Sequence, residues 1–303
     1  MPTVVSALAA AVLLGTGFVL QQHRAALEPS DRALTVWLLL DLVRSPSWLA
    51  GIGVMAAGQL LGAAALARGG LGMTEPLLST NLLFALVIAG FWYQLRPCWR
   101  DWLGALVLSG GLGGFLVVAT PGIGDTSGIP DVAWVLAGGS VAAVAAVLTV
   151  AGRRNRGRVR GALLAGGAGV LFGLQDALTQ RSLAIAGHRG VLQLLLSWTP
   201  YTLVAVAVVG ILLAQSAFQA APLSASLPPV TAGEPITGIA LGAGLFGGSL
   251  QHGSVALLLE VVCLLAMIAG IWLVASSPMV TSARRTAEAG RGAPSPVGGA
   301  GEH

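Results

Sequence analysis

Residues 161–180 read Gly-Ala-Leu-Leu-Ala-Gly-Gly-Ala-Gly-Val-Leu-Phe-Gly-Leu-Gln-Asp-Ala-Leu-Thr-Gln, and Asp176 is the one charged residue among them. A helix rises 1.5 Å per residue, so about 20 mainly apolar residues cross a hydrocarbon core roughly 30 Å thick. The stretch is expected to be a spanning helix. Eight further windows of the same kind surround it: 3–21, 47–66, 71–92, 102–120, 132–151, 192–214, 225–249 and 254–276. The first lacks the basic leader of a cleavable signal and is expected to remain as a helix. Residues 33–43 are apolar too, but they are short and carry Asp41, which suits an interfacial or loop helix.

The composition agrees. Of 303 residues only 9% are charged, where soluble domains carry about 25%, and mean hydropathy is +0.83. The net charge of +4 is spread too thinly for a nucleic-acid face, so no nucleic-acid partner is expected. All 16 basic residues are arginine, which leaves no lysine for Schiff-base chemistry. Cys98 and Cys263 stand far apart and suggest neither a disulfide framework nor a metal cluster.

Arginines in short loops stay on the cytoplasmic side. With the N-terminus outside, Arg24, Arg32, Arg44, Arg96, Arg100, Arg153, Arg154, Arg156, Arg158, Arg160, Arg284, Arg285 and Arg291 fall inside, against Arg68, Arg181 and Arg189 outside. This predicts nine crossings with a cytoplasmic C-terminus in a plasma-membrane protein. Trp92, Tyr93, Trp99, Trp102, Trp134 and Trp272 fall near window ends, as an aromatic belt would place them.

The opening stretch also has a twin. Gly169-x2-Phe172-x-Leu174-Gln175 repeats Gly15-x2-Phe18-x-Leu20-Gln21, and the order continues. Gln59 matches Gln215, Glu75-Pro76 matches Glu234-Pro235, and Gly113-x2-Leu116-Val117-x3-Pro121 matches Gly270-x2-Leu273-Val274-x3-Pro278. The expected organisation is a first repeat over 1–152, a basic cytoplasmic linker over 153–160, a second repeat over 161–278 and a disordered tail over 279–303. A five-helix unit inverts its second copy, giving two inverted repeats of five and four helices, the architecture of secondary transporters with a site near the midplane. Gly58-x3-Gly62, Gly110-x3-Gly114, Gly169-x3-Gly173 and Gly238-x3-Gly242 fit the pattern that lets helices approach closely.

Four acids fall inside the windows: Glu75, Asp176, Glu234 and Glu260. An acid at membrane depth is costly and faces a cavity or a partner. Glu75 and Glu234 are repeat-related and precede Pro76 and Pro235, whose rings free backbone carbonyls, a seat for a proton or a hard cation. The alternative places each near a helix end, reaching interfacial water. Asp176 and Glu260, near the outer ends of their windows, are expected to reach water, with a pathway role as the alternative. Gln59 and Gln215, with Gln21 and Gln175, are buried amides for a solute or for a neighbouring helix. Trp198, Tyr201 and the prolines Pro228 and Pro229 mark candidate helix breaks where backbone meets substrate. His23, His188, His252 and His303 lie outside the windows without metal-site spacing, and no phosphate loop or nucleophile motif occurs. An enzyme is not expected, no cofactor is implied, and the sequence assigns no metal ligands.

Trp48-Leu-Ala-Gly51-x-Gly53, Gly58-Gln59, Glu75-Pro76-Leu77 and Pro121 resemble the drug/metabolite transporter superfamily, which includes the EamA-like proteins. The likeness is closest to its nine-helix magnesium-transporter branch, the NIPA type, and its bacterial relatives. The resemblance implies two inverted helical repeats and, on that branch, Mg²⁺ movement. Gly58-Gln59 departs from the Gly-Glu of that branch and removes a carboxylate. The expected function is a membrane permease moving a small solute by alternating access, with proton or cation coupling as an option. The alternatives are a divalent-cation carrier and a non-transporting scaffold. The expected partners are the lipid bilayer and a small-molecule or cation substrate, with a homodimer as an option.

Overall fold

The computed structural model describes residues 2–69, 77–78, 80–92, 99–118, 129–245 and 254–275. Every regular element among them is helical: α1 (Pro2–Leu27), a 3-10 turn (Ser30–Arg32), α2 (Val36–Val43), α3 (Pro46–Gly69), α4 (Asn81–Trp92), α5 (Trp99–Val118), α6 (Asp131–Arg154), α7 (Gly157–Arg189), α8 (Val191–Leu196), α9 (Thr199–Ala220), α10 (Leu223–Leu245) and α11 (Ser254–Ala275). Five helices are long and apolar enough to cross a membrane: α1, α3, α6, α7 and α9. Shorter apolar helices lie at Asn81–Trp92, Trp102–Phe115 and Leu258–Gly270. The chain is therefore an all-helical protein of membrane type. The short apolar stretch after residue 33 forms α2, an eight-residue helix.

Glycine decides which helices meet. A Cβ at Gly58 of α3 would stand 3.1 Å from the Leu14 amide nitrogen, and one at Gly15 of α1 would stand 2.8 Å from the Asn81 oxygen of α4. In the other half, a Cβ at Gly169 of α7 would stand 2.6 Å from the Val230 oxygen of α10, and Phe172 lies over Gly210 of α9. Thus α1 packs on α3 and α4, α7 packs on α9 and α10, and α5 pairs with α11. On that last face Gly111 and Gly270 are seated reciprocally, each against the other helix's backbone. Of the expected small-residue motifs, Gly58/Gly62 and Gly169/Gly173 are contact surfaces; a Cβ at Gly110 or Gly238 would meet open space, though the Gly238 amide lies against Gly173 and Gly114 packs on Cys263.

Two apolar clusters result. One joins Leu38, Trp48, Leu82, Phe115 and Met267; the other joins Trp134, Leu164, Leu171, Leu178 and Leu213, with α10 contributing to both. The most enclosed helix is α7, with 61% of its apolar window buried, against 17% for α6. The outer face of α6, with Val132, Val135, Leu136 and Val147 exposed, is the kind of surface that acyl chains cover.

Local chemistry sets the ends. Gly190, at φ 84, stops α7, and Gly157, at φ 57, turns the chain sharply out of α6. The basic run is therefore not a free linker: Arg153 and Arg154 finish α6, and α7 starts after Asn155 and Arg156. Pro222 precedes α10, which runs from Leu223 to Leu245 through Pro228, Pro229 and Pro235. The breaks expected there are not interruptions. Each ring removes one amide donor, leaving the Ser224, Ala225 and Thr231 carbonyls without their intrahelical partner, and neighbouring packing carries the helix onward.

Charge segregates along the bundle. The end of α9 is bonded to residues 28–34, and Gly161 at the start of α7 packs on Ala221. Arg24, Arg32 and Arg44 therefore share one end with the run from Arg153 to Arg160. Arg181 and Arg189 lie at the opposite end with the starts of α6 and α9, and Arg68 ends α3, which runs antiparallel to α1.

Candidate functional site

The close approach of α7 and α10 places two acids together. A Cβ at Gly173 would stand 2.5 Å from the Glu234 carbonyl oxygen and 2.6 Å from the Thr237 Cβ, so only glycine allows the two backbones this near. One turn further along α7, the Asp176 side chain hydrogen-bonds that of Glu234. Asp176 is exposed and Glu234 half-buried. The packing thus sets two carboxyl groups side by side between α7 and α10.

Asp176 lies five residues before Arg181, which pairs with Asp131 at the start of α6. Because α7 continues to Arg189, the residue lies thirteen positions, about 20 Å, before the helix end. Glu234 is eleven residues from both ends of α10. Glu234 thus sits at mid-helix, and Asp176 lies about 7.5 Å along α7 from the Arg181–Asp131 pair.

The other expected residues divide. Glu75 and Pro76 lie outside the described residues. Gln59 is exposed, one position past the contact residue Gly58, so the expectation of a buried amide fails there: a 100° step turns it off the α1 face. Gln215 is buried, 2% exposed, and its Nε2 donates to the Gln21 Oε1 of α1 at 2.7 Å. Gln21 in turn donates from its own Nε2 to the Met55 Sδ of α3. Glu260 is half-buried on α11, whose main partner is α5.

Trp198 and Tyr201 stand at the arginine-poor end. The Tyr201 hydroxyl donates to the Leu195 carbonyl at 2.9 Å and its ring is exposed. Trp198 helps to enclose Arg181, whose guanidinium carbon lies 4.8 Å from the Trp198 ring and 4.9 Å from that of Trp134. An ion pair of 2.5 Å links Arg181 to Asp131, and the Trp198 Nε1 donates to the same carboxylate at 3.3 Å. Beside this group a cavity of about 680 Å³ opens, lined by Arg181, Arg189, Gln193, Ser197 and Trp198. Trp134 is therefore not part of an aromatic belt: it is 2% exposed beneath Arg181, whereas Trp92, Trp99 and Trp102 are exposed. Sequence reading missed this cluster, although Asp131 and Trp134, one turn apart at the start of an apolar window, were its visible part.

A second cavity, of about 450 Å³, lies at the arginine-rich end and is lined by Arg24, Glu28, Arg32, Asp41, Arg44 and Ser45. Its charges are largely matched. Arg24 pairs with Glu28 at 2.6 Å and Arg32 pairs with Asp41. Among the described residues no three His, Cys, Asp or Glu side chains converge as a metal site would require.

The chain is similar to an uncharacterized protein of Corynebacterium glutamicum, 28% identical over 256 residues, which cover 82% of this chain and 86% of that protein. No family model matches the chain, and no solved structure does.

Proposed function

We propose that the protein is a multi-pass permease of the drug/metabolite transporter type, which moves a small solute across the plasma membrane by alternating access coupled to protons. The observation that carries the reading is the Asp176–Glu234 pair between two closely packed helices. An acid pair held there by glycine contacts is costly to bury and is used where protons are bound and released.

The repeat supports the same reading. The helices matched by sequence, α1 with α7, α3 with α9 and α4 with α10, have corresponding partners: α1 packs on α3 and α4 as α7 packs on α9 and α10. The fourth and ninth predicted spans, α5 and α11, pair with each other, as elements next to a two-fold axis do. Nine crossings with the N-terminus outside put the arginine-rich end in the cytoplasm.

Uptake into proteoliposomes tests the proposal, with a panel of small metabolites and Mg²⁺ offered under an imposed pH gradient. Wild type is expected to accumulate one class of solute in response to the gradient. Asp176→Asn and Glu234→Gln are expected to lose that response. Gradient-driven uptake unchanged in both variants would remove the pair from the mechanism. Uptake of Mg²⁺ alone would turn the assignment to a divalent-cation carrier, and no flux of any solute would leave a scaffold.

A further inference from the structure

We infer that the contact between residues 28–35 and the end of α9 is the gate of this permease on its arginine-rich side, seen here closed. The inference rests on the transport reading above and adds to it the device that shuts one face of the pathway.

The contact is a seam of hydrogen bonds between the two apolar clusters. The Gln219 Nε2 donates to the Glu28 and Pro29 carbonyls at 3.0 and 2.6 Å. The Leu34 amide donates to the Ser216 Oγ at 3.0 Å, and that hydroxyl donates to the Leu212 carbonyl at 2.7 Å. Deeper, Gln215 bonds Gln21. Gln215 lies five residues from Gly210, which packs on Phe172 of α7.

Three features separate this seam from static packing. Leu34 is the one non-glycine residue with positive φ among the described residues, at 62°. That conformation is disfavoured for a branched side chain. Residues held so are found where surrounding contacts force them, often at switch regions. Its side chain packs against the cluster of α6, α7 and α9, so a loop of the first half is latched into the second. Next, the Gln215 Oε1 is buried without a hydrogen-bond partner, a defect that opening would relieve. Finally, the seam is made of single side-chain bonds to a loop. The α7–α10 and α5–α11 faces are instead closed by backbone against glycine. Bonds of the first kind break and reform one by one. A glycine-seated face cannot slide without collision.

Spin labels report the seam directly. Leu27 and Val159, both exposed, flank it on the two sides. Each is replaced by cysteine in a chain carrying Cys98→Ser and Cys263→Ser, and the distance between the labels is measured by pulsed dipolar spectroscopy in lipid. Two distance populations are expected, the shorter dominant. Gln219→Ala, which removes both bonds to the Glu28 and Pro29 carbonyls, is expected to raise the longer population about fivefold relative to the shorter, and Leu34→Ala is expected to act in the same direction. One population, unmoved by both substitutions, overturns the gate. Uptake by the same proteoliposomes separates the two claims. Flux with an immobile seam retains the permease and discards the gate. A seam with two populations and no flux of any solute retains the moving joint and discards the permease.

Discussion

At the scale of single residues, the instructive case is Gln215. Its repeat position pairs it with Gln59, and both were expected as buried amides. Equivalence in a repeat says which residues play matching parts, not which residues touch. Gln215 meets Gln21, while Gln59 looks outward. Asp176 teaches the complementary lesson. Its hydropathy window closes at Arg181, so it was expected near a membrane surface, but one arginine does not end a helix. The glycine at 190 does, although Arg181, five residues after Asp176, already pairs with Asp131 at the start of α6. Leu34 was invisible to sequence reading because nothing in the sequence marks a leucine for positive φ. It supports a prediction of its own. Alanine there keeps the left-handed backbone penalty, which glycine does not incur, so Leu34→Gly is expected to unfold later than Leu34→Ala by roughly 1 kcal/mol. Thermal unfolding of the two purified variants checks it, and equal stability would show that the loop relaxes.

Between elements, glycine sets the architecture, and this was legible in part. The small-residue motifs located the α1–α3 and α7–α10 faces, but at Gly110 the contact belongs to its neighbour Gly111. Spacing gives a stripe; which side of the stripe is covered depends on the partner's direction. The consequence is measurable. At Gly173 a methyl group would collide with the Glu234 backbone, so Gly173→Ala is expected to destabilise by about 1–3 kcal/mol. It should also disturb the acid pair, lowering gradient-driven uptake. Gly138 of α6 has nothing within 4 Å, and alanine there gains helix propensity of up to about 1 kcal/mol. Thermal melts of the two variants should therefore move in opposite directions, and a loss at Gly138 as large as at Gly173 would contradict the packing.

For the whole molecule, the membrane class was legible from composition alone, since no soluble core hides so much apolar surface. The arginine count led to an expectation of a polarised bundle, and Arg24, Arg32 and Arg44 share an end with the run from Arg153 to Arg160, while Arg181 and Arg189 lie at the other. The orientation itself is tested by labelling. Asn155, exposed between α6 and α7, is expected to react as cysteine with a membrane-impermeant reagent only after the cytoplasmic face is opened. Labelling from outside intact cells would reverse the topology. What the sequence could not supply at this scale was the closure of one end, because the seam is built by a loop and a helix terminus distant in the chain.

The short turn at Asn155 and Arg156 bears on how the molecule would move. By sequence, α6 closes the first repeat; by contact, its partners are α7 and α10. Two residues of turn between α6 and α7 leave no slack for the hairpin to splay. By packing, α6 therefore belongs with α7 and α10 rather than with the helices before it. A chain severed at 155 and co-expressed as two pieces should lose the joint that holds α6 to α7.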